Sequence, residues 1–261
     1  MMATSKVNKI KKRFLSFIPE CVSDRTVLRG FHLMGSIDDY SFERACSDYR
    51  KNLKVWKMIR RDVCTKDGFI ENQASLWKMR FGVCSTAYSG CEVIAAYNVL
   101  NELYGGTKRI SLPKLIMYFE LNGMTMRGRF GTSPHALKEY FICRGFRTWA
   151  TTDTNEFDEY GSRFTAFILI LYNDRHDISK GVHTMAITKE ICHQPGSDTT
   201  ISAARSGSDM PIGAALPEKE CGAYFTMHNA HGGKQTSCTS IGECAMKYSA
   251  QARMIMLIGI R

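Results

Sequence analysis

The amino-acid sequence predicts an α+β fold, in which a helical layer packs against an antiparallel β-sheet. Three segments between residues 89 and 145 repeat apolar side chains at the spacing of an amphipathic helix. Five short apolar segments bounded by turn residues follow after residue 145, which is typical of strands. Helices followed by strands, rather than alternating with them, favour α+β over a parallel α/β arrangement.

Four helices are predicted, and each has a start signal. Pro113 and Pro134 stand in the first turns of two of them, where the missing N–H group of proline costs nothing. Glycines follow the periodic residues and are common just past a helix end. The helices are predicted to begin near Ser41, at Cys91, near Ser111 and at Ser133, and to end near residues 63, 105, 123 and 145.

The predicted strands are residues 146–151, 164–172, 182–189, 223–228 and 253–260. Residues 191–222, which separate the third strand from the fourth, are rich in Ser, Gly, Asp and Pro. A stretch of that length and composition between two strands is typical of a surface insertion. Residues 1–80 are basic and mainly helical in character, and we expect them to form an N-terminal extension to a domain over residues 81–261.

The composition is that of a globular protein, with 44% hydrophobic and 23% charged residues. The apolar run at 164–172 is about half the length that a membrane-spanning helix needs. The apolar segment at 14–19 is too short for a secretory signal peptide. We therefore expect a cytoplasmic protein with no membrane span.

The net charge is +10, from 35 basic and 25 acidic residues. The basic residues concentrate in the N-terminal tail and along the helix at 41–63, where they flank an apolar stripe. The simplest interpretation is a solvated helix face, and an acidic partner or nucleic acid is the alternative. No nucleic-acid motif accompanies the charge, and the sequence does not indicate an oligomeric state.

Ten cysteines are spread through the chain, which is long enough to form a core without disulfide bonds. We therefore expect reduced cysteines. His228, His231, Cys238 and Cys244 have loose metal-ligand spacing but lack the paired arrangement of zinc sites. No metal or other cofactor is predicted.

Cys91 is the candidate nucleophile because it follows a glycine and opens a well-patterned helix. The N–H groups and the positive end of the dipole at a helix N-terminus lower a thiol pKa. The same N–H groups can hold an oxyanion. Gly90 carries no side chain that would block a substrate, whereas the carboxylate of Glu92 would raise the thiol pKa slightly.

A nucleophilic thiol needs a base, and the base needs a partner that fixes its ring. His183 stands at the start of a predicted strand and Asn229 at the end of another. We predict that His183 takes the proton of Cys91 and that the Asn229 amide orients the imidazole. The alternatives are a buried structural cysteine and a histidine whose hydrogen bonds are satisfied in the core.

The segment YSGCEVIAAYNVL around Cys91 resembles the nucleophile helix of papain-like cysteine peptidases, and especially the bacterial branch similar to bacteriocin-processing C39 peptidases. HTMAI resembles the histidine strand of that family, and HNAHG resembles its asparagine segment. The order Cys, His, Asn and the order of helices and sheet agree with the family. The resemblance covers about residues 84–260 and implies a papain-like fold there.

The chain departs from the family pattern beside the nucleophile. The family has a glutamine a few residues before the cysteine as oxyanion donor, whereas the nearest glutamine here is Gln73. Side chains close before Cys91 are the substitutes, together with the backbone at Gly90. The candidates for the oxyanion or substrate contacts are Ser85, Thr86, Tyr88, Gly90 and His231.

The resemblance implies a cysteine hydrolase that cleaves peptide or amide bonds through a thioester acyl-enzyme. Its substrate would be a peptide or a protein. The same three residues can pass the acyl group to an amine, so a transamidase or acyltransferase is an alternative. A catalytically inactive papain-like domain that binds a peptide or protein is another, which the missing upstream glutamine and Glu92 favour.

Overall fold

A computed structural model describes residues 42–106, 110–177, 181–191, 223–230 and 235–261. Within these residues the chain forms seven α-helices and eight strands. The helices are α1 (Phe42–Val63), α2 (Thr86–Ser89), α3 (Cys91–Leu103), α4 (Leu112–Leu121), α5 (Pro134–Ile142), α6 (Phe157–Gly161) and α7 (Ile241–Tyr248). The strands are β1 (Arg80–Phe81), β2 (Cys84–Ser85), β3 (Thr148–Thr151), β4 (Ala166–Tyr172), β5 (Val182–Ile191), β6 (Ala223–His228), β7 (Thr236–Cys238) and β8 (Arg253–Ile260).

Six strands form one sheet in the order β3-β8-β4-β5-β6-β7, and each neighbouring pair is antiparallel. Strands β1 and β2 form a separate hairpin just before α2. The predicted α+β class with an antiparallel sheet is therefore confirmed, whereas its papain-like identity stays a prediction. The four predicted helices and five predicted strands are all present, with boundaries shifted by a few residues at most.

The central strand β4 is buried along its whole length because helices cover both faces of the sheet. Ala166, Ile168 and Ile170 belong to a core cluster that also contains residues of α1, α3, α4 and α5. The alternate residues Phe167 and Leu169 belong to a second cluster with residues of α6 and α7. A strand buried on two faces has an unbroken apolar sequence, which explains the run at 164–172.

Helix α3 lies at the centre of the first cluster and is buried from Cys91 to Asn101. Its polar side chain Asn98 exchanges hydrogen bonds with the backbone of Ile70, at 2.8 and 2.9 Å. A buried amide that makes both of its bonds costs little and ties two segments together. Asn98 thereby holds the chain after α1 against α3.

Helix α1 also packs into the first cluster, through Ala45 and Trp56. Asn52 of this helix makes two hydrogen bonds with the backbone of Arg80 in β1, at 2.8 and 2.7 Å. The basic residues at 50, 51, 54, 57 and 61 are exposed. This exposure fits both the solvated face and the surface for an acidic partner or nucleic acid, so the choice between them stays a prediction. The proposed domain division at residue 80 stays a prediction.

Two predicted regions lie outside the described residues, namely the tail at 1–41 and residues 192–222 of the polar insertion. Six short elements among the described residues were not predicted from the sequence: α2, α6, α7, β1, β2 and β7. Across the ranges given above, no helix combines the length and apolar character needed to cross a bilayer.

Candidate active site

Cys91 is the first residue of α3, as predicted, and its side chain is buried with 7% exposure. Its sulfur accepts hydrogen bonds from the backbone N–H groups of Thr184 and Glu92. The bond from Thr184 places the sulfur against strand β5, one residue along the chain from His183. The Cys91 sulfur therefore lies beside the strand that carries the predicted base, whereas contact between the thiol and the imidazole stays a prediction.

The strand register explains why the N–H group of Thr184 is available to a sulfur. Strand β6 pairs with β5 only from Ala186, opposite His228, to Ile191. Towards the start of β5, no residue of β6 continues the ladder, so backbone groups on that edge need other partners. The N-terminus of α3 occupies this unpaired edge and supplies the Cys91 sulfur as acceptor.

His183 lies at the same edge and is held in two ways. Its Nε2 atom is 2.9 Å from the backbone carbonyl oxygen of Asn229. Its ring stacks on Tyr248, with 5.3 Å between centroids and 9° between planes. Because a carbonyl can only accept a hydrogen bond, Nε2 carries the hydrogen. In the neutral ring Nδ1 is then the basic nitrogen, as a general base for a thiol requires.

Asn229 is close to His183 but does not orient it with its side chain, so the predicted contact is wrong in its atoms. The side-chain oxygen accepts from the N–H of Gln73 at 3.0 Å, and the side-chain nitrogen donates to Gln73 Oε1 at 3.1 Å. The backbone carbonyl of Asn229 contacts the imidazole instead. This geometry depends on a left-handed backbone, with φ of 60°, which asparagine tolerates better than most residues.

Gln73 joins the two halves of the candidate site. Besides its bonds to Asn229, its Nε2 atom donates to the carbonyls of Thr86 and Ala87 in α2, at 3.3 and 3.1 Å. Helix α2 leads directly into Gly90 and Cys91. Both N–H groups of this amide are thus engaged with carbonyls, so Gln73 acts as a clamp in this structure rather than as an oxyanion donor.

A buried hydrogen bond between His228 and Glu71 anchors the end of β6 below Asn229. His228 Nδ1 is 2.7 Å from Glu71 Oε1, and His228 Nε2 is 2.9 Å from the hydroxyl of Thr188. Glu71 also accepts from the backbone N–H of Asn229 and from Gln235. Burial by itself raises the pKa of Glu71, but the bonds and charge of His228, together with the other two donors, hold it below its ordinary value.

The hydrogen bonds of His228 also bear on the zinc alternative considered from the sequence. Both ring nitrogens of His228 are engaged, by Glu71 and by Thr188, so neither faces a metal. Cys238 and Cys244 contact each other in β7 and α7, and His231 lies outside the described residues. Among the residues that the structure describes, no cluster of three or more metal-ligating side chains exists.

The electrostatics of Cys91 differ from the expectation of a lowered thiol pKa. Burial raises the pKa of Cys91 well above its ordinary value, and the neighbouring Glu92 carboxylate raises it further. The N–H groups of Thr184 and Glu92 act in the opposite direction but do not outweigh these effects. The resting thiol therefore keeps its proton at neutral pH, and a base must remove it before it can attack.

The oxyanion candidates before Cys91 have separate environments. Ser85 is half-buried in β2 and precedes α2. Tyr88 on α2 is 44% exposed, and burial of its hydroxyl raises the pKa of this residue. Thr86 is fully buried. The fourth side-chain candidate, His231, lies outside the described residues, so its predicted place in the cleft stays a prediction.

The structure gives a reason for glycine at position 90 that was not predicted, namely close packing. A Cβ atom at this position would lie 2.5 Å from Thr86 Cγ2 and 2.7 Å from the Thr86 carbonyl oxygen. Its φ of −102° is accessible to any residue, so backbone conformation does not require glycine. Close packing on Thr86 is a reason for glycine at this position, and its predicted role beside a substrate stays a prediction.

Sequence reasoning missed several residues that build this site: Glu71, Gln73, Thr184 and Tyr248. A signal existed for Tyr248 alone. Ser240 and Glu243 form the start of a capping box, in which the Ser240 hydroxyl accepts from the Glu243 N–H at 3.0 Å. That pattern predicts a helix over 241–248 and thereby the helix that carries Tyr248.

The hydroxyl of Tyr248 donates to Asn173 at 2.8 Å, which fixes the ring that stacks on His183. Burial, and then the charge of Cys91, raise the pKa of Tyr248 to about 12. Tyr248 therefore stays neutral over the range in which a thiol and an imidazole exchange a proton.

Comparison of the chain with protein-family models and with curated proteins found no match.

Proposed function

We propose that this chain is a papain-like cysteine hydrolase that cleaves peptide or amide bonds, with Cys91 as nucleophile and His183 as general base. The observation that supports the proposal most is the convergence at the unpaired edge of β5. The Cys91 sulfur accepts from the N–H of Thr184 there, and the adjacent His183 has its Nε2–H bound to a carbonyl. A thiol and an imidazole in the correct tautomer are the minimal parts of this chemistry.

The proposed reaction begins with transfer of the thiol proton from Cys91 to Nδ1 of His183. The thiolate then attacks the substrate carbonyl carbon, a C–S bond forms and the carbonyl π electrons move to oxygen. Collapse of the tetrahedral intermediate breaks the C–N bond, and the proton on His183 passes to the leaving amine. A water molecule, deprotonated by His183, hydrolyses the resulting thioester and regenerates the thiol.

The raised pKa of Cys91 assigns His183 the role of a base that acts during the attack. A thiol that is protonated at rest cannot rely on a standing thiolate–imidazolium pair. Backbone N–H groups at the start of α3 are the proposed donors to the developing oxyanion, since the dipole of this 13-residue helix favours negative charge there.

A second candidate function is a non-catalytic domain that binds a peptide or protein. The burial of Cys91 and the carboxylate next to it favour this alternative, because both raise the pKa of the thiol. A transamidase or acyltransferase differs from a hydrolase only in which nucleophile resolves the thioester, so it shares every step up to that point.

Alkylation by iodoacetamide, followed peptide by peptide with mass spectrometry, separates catalysis from binding. If His183 is the base for Cys91, His183→Ala slows alkylation of Cys91 by about 100-fold, the usual contribution of a general base. Alkylation of the exposed Cys143 in the same sample reports reagent activity. The matched control is His135→Ala, which removes an exposed histidine on α5.

Comparison of the two variants decides the outcome, because burial of the sulfur affects all samples alike. A rate for Cys91 that is the same in His183→Ala, His135→Ala and the parent chain would refute the proposed base and favour the binding domain. A His183-dependent rate supports the hydrolase, and trapping of an acyl group on Cys91 with a peptide thioester would then establish the intermediate.

A further inference from the structure

We infer that Gln73 is a positioning residue that sets the orientation of His183 through the backbone of Asn229 and ties it to the nucleophile helix. This inference rests on the proposed function, since it assigns a role to Gln73 in the same reaction. Gln73 stands 18 positions before Cys91 and belongs to none of the motifs that indicate the nucleophile, the base or their partner.

The backbone of Asn229 holds the imidazole of His183. The carbonyl of Asn229 is the acceptor for His183 Nε2–H at 2.9 Å, so the direction of this carbonyl sets the tautomer and the hydrogen-bonded edge of the ring. A carbonyl direction is a backbone property and changes with φ and ψ. At Asn229 the backbone is left-handed, with φ of 60°, a conformation that needs support from its surroundings.

Hydrogen bonds with Gln73 and Glu71 support this backbone conformation of Asn229. Besides the bond from His183, Asn229 makes three hydrogen bonds: Gln73 N–H to Oδ1, Nδ2 to Gln73 Oε1, and Asn229 N–H to Glu71 Oε2. Two of the three involve Gln73. Together with the buried Glu71–His228 pair, they leave the peptide group of Asn229 little freedom to rotate.

Gln73 also contacts the helix that precedes Cys91. The Gln73 Nε2 atom donates to the carbonyls of Thr86 and Ala87, four to five residues before Cys91. One side chain therefore holds the partner of the base on one side and the helix that precedes the thiol on the other. A displacement of either group would change the approach of thiol to imidazole, which proton transfer tolerates poorly.

The chemistry of the side chain explains why glutamine suits this position. Its oxygen accepts from Asn229 while its nitrogen donates to two carbonyls, so both ends are used at once. Glutamate has no donor for the carbonyls, and alanine has neither group. Gln73→Ala therefore removes both bonds to α2 and the side-chain bond to Asn229, and it keeps only the backbone N–H bond to Asn229 Oδ1. Gln73→Glu breaks only the link to α2.

The test uses the ring nitrogens of His183 in the full-length protein, observed by ¹⁵N NMR between about pH 6 and about pH 9. The parent chain is expected to show the Nε2–H tautomer in its neutral form. Gln73→Ala is expected to show a mixture of tautomers and about tenfold slower alkylation of Cys91. Gln73→Glu is expected to retain the tautomer while alkylation slows. The matched control, Gln251→Ala, removes an exposed glutamine and is expected to change neither readout.

A double-mutant cycle tests whether Gln73 acts through Asn229. Asn229→Gly keeps the left-handed backbone accessible but removes the side chain that Gln73 grips. Adding Gln73→Ala to Asn229→Gly is then expected to leave the tautomer mixture as it is in Asn229→Gly. Circular dichroism of every variant monitors folding, and the isosteric Gln73→Glu provides a second reading if Gln73→Ala loses its structure.

An unchanged Nε2–H tautomer in folded Gln73→Ala would overturn the inference, and so would fully additive effects in the cycle. These results differ from a failure of the proposed function. If His183→Ala leaves Cys91 alkylation unchanged, the hydrolase proposal fails, but the tautomer of His183 and its dependence on Gln73 can still be measured.

Discussion

Glu120 on α4 carries a buried carboxyl group, and its replacement has a predictable effect on how the stability of the fold depends on pH. Its side chain is 3% exposed, and Oε1 accepts the backbone N–H of Gly82 at 2.8 Å in the turn between β1 and β2. Burial raises the pKa of Glu120 to about 8. The hydrogen bond from Gly82 acts to lower this pKa, and the negative charge of Asp48 acts to raise it. At neutral pH this carboxyl group is therefore mostly protonated in the folded chain.

The sign and size of the effect follow from proton linkage. Between the ordinary pKa of 4.5 and the folded value of about 8, the folded chain holds a proton that the unfolded chain has lost. The contribution is complete below pH 4.5 and is lost as the pH rises through 8. From pH 4.5 to pH 8 this amounts to about 4 kcal/mol of unfolding free energy. Glu120→Gln keeps an oxygen that accepts from Gly82 but has no titratable proton. The variant therefore does not lose this stability as the pH rises.

Urea unfolding followed by circular dichroism at several pH values measures the difference. The stability of Glu120→Gln relative to the parent chain is expected to rise by about 4 kcal/mol between pH 4.5 and pH 8. Glu43→Gln on the exposed face of α1 is the matched control and is expected to stay parallel to the parent. Parallel curves for Glu120→Gln and the parent would refute the assignment of a protonated buried carboxyl group.

Two further substitutions act at the N-terminus of α3. Glu92→Gln is expected to shift the midpoint of the pH dependence of Cys91 alkylation to lower pH, because the Glu92 carboxylate raises the pKa of this thiol. Gly90→Ala is expected to destabilise the fold by about 1–3 kcal/mol, the typical cost of overpacking, because its Cβ would lie 2.5 Å from Thr86 Cγ2. Iodoacetamide labelling and urea unfolding measure the two effects.

Each of these substitutions has a control on the same kind of residue. Glu102→Gln lies at the other end of α3 and is expected to leave the alkylation midpoint of Cys91 unchanged. Gly242→Ala on α7 adds a Cβ whose nearest contact is at 3.6 Å, so no overpacking penalty is expected. A midpoint that moves equally in both glutamate variants, or a Gly90→Ala chain as stable as the parent, would contradict the respective argument.

Local sequence patterns were sufficient for the main elements of the fold. The helix that begins at Cys91 was predictable because its apolar period and the two glycines after it are local features, and Gly105 and Gly106 do have positive φ values. The strand at 164–172 was predictable because both of its faces are apolar. Helix α7 was missed although its capping box was present, because its eight residues make only about two turns, too few for a periodic pattern to be recognised.

The atoms of the candidate site were less predictable than its residues. The contact between His183 and Asn229 was predicted through the side-chain amide, whereas the structure uses the backbone carbonyl. The side chain pairs with Gln73, which is 156 positions away in the chain. A hydrogen bond between residues so distant leaves no periodic or spacing signal, since only the tertiary fold brings the two segments together.

The amino-acid sequence by itself was sufficient to predict the α+β class and the helix start at Cys91, and to select His183 and Asn229 as candidates. Each of these depends on neighbours within a few positions. The tertiary structure decided the properties that depend on distant groups. Burial against β5 reverses the expected direction of the Cys91 pKa, since desolvation of a thiolate outweighs the helix terminus. The early end of β6 opposite Ala186 leaves the edge of β5 at which the Cys91 sulfur accepts from Thr184 and the Asn229 carbonyl accepts from His183. Only the register of two strands can leave backbone groups unpaired at this edge.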